Sequence, residues 1–141
     1  MNLKGQVCTV NSVYDGDTMR VTRDGKRMKV RLYCIDAPEL AQRPLGSEAR
    51  KVLRAITPEQ VVVDTKGKDR YGRVIGEVFT ADEDRENLNL AMIWSGNAAV
   101  YEKSCNDRQY YQAEDEAKKL QSGIWGKPGD HLRPWAWRHR H

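Results

Sequence analysis

No apolar run in this 141-residue chain approaches the length needed to cross a bilayer, and its mean hydropathy of -0.79 is that of a water-soluble protein. Histidine is nearly absent. Its three histidines, His131, His139 and His141, all fall in the last eleven residues, so a histidine-metal nuclease or a histidine acid–base route would depend on a tail. Cysteine is scarce too. Cys8, Cys34 and Cys105 make an odd count without a CxxC pair, which indicates neither a zinc site nor a full disulfide framework. One pair remains open, but Cys8 and Cys34 both lie in apolar, strand-like stretches, where a buried free thiol is the expected state. Residues 1–10 lack the apolar core of a signal peptide, which fits either a cytoplasmic protein or a mature segment whose leader is omitted. Internal repeats, low-complexity segments and a nucleotide-binding α/β pattern are all missing.

What the chain does have is positive charge, unevenly placed. Residues 1–56 carry 11 Lys and Arg against 6 Asp and Glu, whereas the remainder carries 13 against 14. Clustered basic charge raises the local concentration of phosphates, so the N-terminal half favours a polyanionic partner. The length suits a single domain over 1–141, with a tail over 127–141.

Hydrophobic patterning predicts three strands between Gln6 and Ile35, separated by the turn signals Asp15-Gly16 and Asp24-Gly25. In the third, Met28, Val30, Leu32 and Cys34 face one way, and Arg31 points away from them. Ser47 is positioned to cap a helix with Ala49, Val52, Leu53 and Ile56 on one face, closed by Pro58. Val61-Val62-Val63 and Val74 to Thr80 read as two further strands joined by a polar segment from Lys66 to Gly72. Helices then run from about Glu86 to Ser95 and from about Asp107 to Gln121, stopped by Gly96 and Gly123. The last places Tyr110, Ala113, Ala117 and Leu120 on one stripe. Five strands with a helix after the third is the order of an OB-fold barrel, an α+β arrangement here with three helices.

Four segments concentrate the chemistry: Asp15-Gly16-Asp17-Thr18, Val30 to Glu39 (VRLYCIDAPE), Asp69-Arg70-Tyr71-Gly72-Arg73, and Gly123-Ile124-Trp125. With the order of elements, they resemble the thermonuclease (staphylococcal nuclease-like) family from about Gln6 to Trp125. The resemblance implies calcium-binding aspartates at Asp17 and Asp36, a peptide carbonyl ligand at Ala37, and Asp15 behind them. It implies that Glu39 positions or deprotonates the attacking water and that Arg31 and Arg73 grip the phosphate. Arg70, Tyr71 and Tyr101 fall near positions that contact the substrate's phosphate and base. The common family member has threonine where this chain has Ala37; a carbonyl ligand survives that change and a hydroxyl contact does not.

Those residue types suit the reaction. Phosphodiester hydrolysis brings water to an anion and builds negative charge on its oxygens, which a hard divalent cation and arginine forks both stabilise. What the resemblance implies, then, is a calcium-dependent endonuclease, a monomer, cutting DNA or RNA with little sequence preference and leaving 3'-phosphate ends. By the same analogy it would be secreted or periplasmic if a leader is removed. A silent OB module would be expected to lack acids or arginines, and none is missing. Taken singly, each motif has a plainer reading as a turn, a loop acid or a solvated strand residue; their co-occurrence in family order outweighs it. The ending Pro134 to His141 is expected to pack its tryptophans on the barrel.

Overall fold

The computed structural model describes residues 5–127, 129 and 133–140, the last two by backbone alone. Strands β1 (Gln6–Asp15), β2 (Thr18–Arg23) and β3 (Lys26–Leu32) form the expected antiparallel meander. Asp24 and Gly25 both take positive φ (50° and 77°), the geometry a two-residue hairpin demands. Strands β5 (Gln60–Lys68) and β6 (Val74–Thr80) complete a closed barrel in the order β1-β2-β3-β6-β5, with β1 also pairing β5. Only the β3–β6 pairing is parallel within this barrel. Alternate side chains fill it: Cys8, Met19, Val21, Val30, Leu32, Val61, Val63 and Val78 are all buried. Burying each larger aliphatic side chain favours folding by about 1.5–3 kcal/mol.

Outside the barrel, β4 (Ile35–Asp36) pairs with β7 (Ala99–Val100). That two-residue ladder fixes Asp36 opposite Ala99. Helix α1 (Leu45–Ile56) covers one side with Ala49 and Leu53 buried, while α2 (Leu88–Trp94) and α3 (Arg108–Lys119) pack on each other and are capped by Asn87 and Asp107. No helix among the described residues is long and apolar enough to cross a membrane.

Several local expectations change. The third strand stops at Leu32, because Cys34 adopts a left-handed φ of 70° and leaves the apolar row to form a disulfide with Cys105. Only Cys8 is a buried free thiol. Ser47 does not cap α1: the helix begins two residues earlier behind Pro44, and the Ser47 hydroxyl donates to the Pro44 carbonyl at 3.1 Å. The polar segment from Lys66 begins as strand, since β5 continues to Lys68 against Val74. Leu120 leaves the buried stripe, 72% exposed, because α3 ends at Lys119 and the chain reverses at Gln121 (φ 53°). Gly123–Trp125 forms a single 3-10 turn, and a fourth helix beyond the three expected, α4 (Pro134–Arg140), forms within 127–141.

Candidate active site

The site is built at one end of the barrel, where three loops and β4 meet. The Asp15 side chain accepts the Asp17 N–H at 3.0 Å, shaping the β1–β2 turn. Asp17 is then tied inward: its Oδ2 accepts the Ala37 N–H at 2.8 Å, its Oδ1 accepts the Thr18 hydroxyl at 3.1 Å, and its carbonyl accepts the Leu32 N–H. Gly16 makes this close approach possible. A Cβ there would sit 2.7 Å from the Cβ atoms of both Ala37 and Ala49.

Asp36 follows on β4, only 3% exposed. Arg31 does turn away from the apolar row, but not into solvent. Its guanidinium donates to the carbonyls of Leu32 and Ile35, both at 2.9 Å, lies 3.5 Å from Asp17 Oδ2, and stands 5.7 Å from the centre of the Tyr101 ring. Tyr101 is held by its own N–H, which donates to the Cys34 carbonyl beside the disulfide. Glu39, beyond Pro38, has a half-exposed side chain. Its backbone is anchored against α1: the Glu39 carbonyl accepts the Gln42 N–H, and a Cβ on Gly46 would stand 2.0 Å from that oxygen.

The fourth wall is the β5–β6 hairpin tip. Asp69 organises it by accepting the N–H groups of Tyr71 and Arg73 at 2.9 Å and the Arg73 Nε at 2.7 Å, while Gly72 supplies a φ of 82°. The Arg70 and Arg73 guanidinium groups lie 5.1 and 5.8 Å from the centre of the Tyr71 ring, which is itself largely exposed.

Asp15, Asp17, Arg31, Asp36, Ala37, Glu39, Arg70, Tyr71, Arg73 and Tyr101 all line one cleft of about 730 Å³. The sequence reading therefore named residues that the fold gathers from five separate elements and loops. A second, larger cleft of about 960 Å³ borders it at Asp36 and Tyr101, walled by Lys118, Trp125 and Trp135. Among the histidines, His131, His141 and the His139 side chain lie outside the described residues.

Electrostatics mark the aspartates. Burial, followed by the neighbouring charge of Asp17, raises the Asp15 carboxyl to about 7. Burial also raises Asp36, although a guanidinium opposes it. That guanidinium belongs to Arg138 of α4, which donates to both Asp36 oxygens, at 3.0 and 2.5 Å, and approaches Glu39 at 3.8 Å. Sequence reasoning missed Arg138. The available signal was Pro134, suited to the first turn of a helix, ahead of Trp135-Ala136-Trp137-Arg138.

The donor chemistry fits a hard cation. Among the described residues no three carboxylate, thiol or imidazole groups converge as a ready cage, but Asp17 and Asp36 are buried oxygen donors on the same cleft. A cationic group already pairs with Asp36 there, so the pocket accommodates positive charge.

Comparisons with known proteins give the family. Residues 29–127 match the family described as staphylococcal nuclease homologue. An uncharacterized endonuclease of Escherichia coli is 36% identical over 129 residues, covering 91% of this chain and 82% of that protein. The micrococcal nuclease of Shigella flexneri is 36% identical, covering 89% and 76%, and the thermonuclease of Staphylococcus intermedius 32% identical, covering 88% and 79%. With the barrel and most of each relative's length shared, the chain belongs to the family of staphylococcal nuclease homologues.

Proposed function

We propose that the chain is a calcium-dependent endonuclease, hydrolysing DNA or RNA with little sequence preference. The observation that carries this reading is the convergence of Asp17, Asp36, Arg31, Glu39 and Arg73 on one cleft in a member of a nuclease family. An OB-type groove presents unpaired bases more readily than duplex, so single-stranded or locally open substrate is favoured. By family analogy, water oxygen bonds to phosphorus and the bond from phosphorus to the 5' oxygen breaks, leaving 3'-phosphate and 5'-hydroxyl ends.

In this reading Asp17 and Asp36, with the Ala37 carbonyl, hold calcium, and Asp15 supports Asp17 through its N–H. Bound calcium would supply Lewis-acid stabilisation of charge on the phosphate oxygens. Glu39 is the group exposed enough to orient water and accept its proton. Arg31 and Arg73 approach from different walls of the cleft, so a phosphate between them meets two fixed guanidinium groups. Tyr71 and Tyr101, each beside an arginine, offer ring faces to a nucleobase.

The test is substitution of the two groups least involved in the core. Arg73→Ala and Glu39→Ala should each lower kcat on single-stranded DNA by about a hundredfold or more while leaving circular dichroism unchanged. Their partners support that separation: Arg73 pairs with Asp69 at the hairpin tip, and Glu39 is half-exposed. Folded wild type that cleaves no nucleic acid would favour a silent binding module. An Arg73→Ala variant cleaving as fast as wild type would contradict the assigned roles.

A further inference from the structure

We propose that Arg138 is a tethered competitor for the cation site, so that a divalent cation gains Asp36 only as Arg138 lets go. The inference rests on the metal reading above and concerns how that site is regulated.

Its basis is geometric. Arg138 lies 102 residues along the chain from Asp36, yet its guanidinium takes both carboxylate oxygens in the fork-to-fork manner and also faces Glu39. A cation coordinating Asp36 would stand against the same two oxygens, where the positive charge and bulk of the guanidinium oppose it. The two occupants are mutually exclusive unless one of them moves.

The helix that delivers Arg138 is docked by contacts of its own. Pro134 is buried, the Trp135 ring stands 6.3 Å from Trp125, and Arg133, just before α4, donates to the Ile124 carbonyl and lies over the Trp125 ring at 4.4 Å. These contacts anchor the near end of α4 on the 3-10 turn, leaving Arg138 near its far end as the part that plugs the cleft. Trp135 and Arg138 also form part of the wall of the 960 Å³ cleft, so release would open the second cleft onto the first.

The physical logic is that of a placeholder. A buried carboxylate without a counter-charge is strongly unfavourable, and Arg138 supplies one when calcium is absent. Cation affinity is then reduced by the fraction of molecules in which Arg138 is bound. Removing the guanidinium should therefore have two opposite consequences: the calcium-free protein becomes less stable, and calcium binds more tightly.

Calorimetric titration of calcium into wild type, Arg138→Gln and Arg138→Ala tests this, with thermal unfolding in chelator as the second readout. Both variants should bind calcium on the order of tenfold more tightly than wild type, and both should unfold at lower temperature in chelator. In wild type, calcium should also change tryptophan fluorescence, because Trp135 and Trp137 lie on α4. Equal or weaker calcium affinity in folded Arg138→Gln overturns the competition while leaving the metal reading intact. No calcium binding by any of the three proteins overturns both. Arg138→Gln keeps a polar though shorter and uncharged side chain on α4, so it answers the question even if Arg138→Ala folds poorly.

Discussion

Glu77 on β6 and Asp36 on β4 are both nearly excluded from solvent, and the fold treats them differently. Glu77 receives the Tyr110 hydroxyl at 2.5 Å and the Asn87 amide at 3.2 Å, with Lys66 at 3.8 Å. Those donors come from α3, the α2 cap and β5, elements already packed together, and Asn87 also donates to Tyr110. Burial and Glu77 together push the Tyr110 hydroxyl well above its usual range, so it stays a proton donor. Asp36, by contrast, has its two charged partners in Arg138 and the more distant Arg31, and burial still raises its carboxyl. The first carboxylate's hydrogen-bond donors, Tyr110 and Asn87, cannot leave without unpacking helices. The second has its main partner on α4, whose release the competition for the cation requires. A permanently satisfied carboxylate joins elements together, whereas one whose main partner is replaceable is suited to binding a cation.

The contrast breaks most visibly at Tyr110. Tyr110→Phe removes a donor from a buried carboxylate and should cost about 1–3 kcal/mol of stability, measured by urea unfolding, while kcat at a temperature where the variant stays folded is unchanged. Loss of cleavage comparable to Arg73→Ala, with stability retained, would mean that the two regions do not divide the work as described.

A smaller effect sharpens the other side. The fold raises the Asp15 carboxyl from 3.8 to about 7, so it favours the protonated form. Stability from that preference is fully present below pH 4 and is lost as the pH rises through about 7. In chelator, Asp15→Asn mimics the neutral acid and should unfold a few degrees above wild type at pH 7.5, with the gap closing toward pH 4.5. A gap independent of pH would show that the raised titration does not contribute.

Much of this was legible in the sequence because it is local. Asp24-Gly25 specifies its turn through positive φ at both residues, Asp15 shapes the preceding turn through its side chain's bond to the Asp17 N–H, β2 and β6 announce themselves by apolar patterning, and Asp69 to Arg73 carries its own turn chemistry. What was not legible depends on contacts between distant segments. Nothing near Cys34 reveals Cys105, 71 residues away, as its partner, since an odd count of thiols leaves the pairing open. Nor does the strand pattern reveal that Cys34 leaves the apolar row for a left-handed turn. The role of Arg138 is of the same kind: a helix of seven residues, opened by proline and rich in tryptophan, reads as packing, and its charged group gains meaning only where Asp36 meets it. Leu120 fails for a simpler reason, because the helix stops before its face reaches the core.

The most direct measurement is plasmid nicking by one purified preparation in excess chelator and again after calcium is restored. Cleavage should vanish with chelation and return with calcium, because in this account Asp17 and Asp36 are the oxygen donors that hold the cation stabilising charge on the phosphate oxygens. Undiminished nicking in excess chelator would contradict it, leaving the aspartates as structural acids held by Arg31 and Arg138.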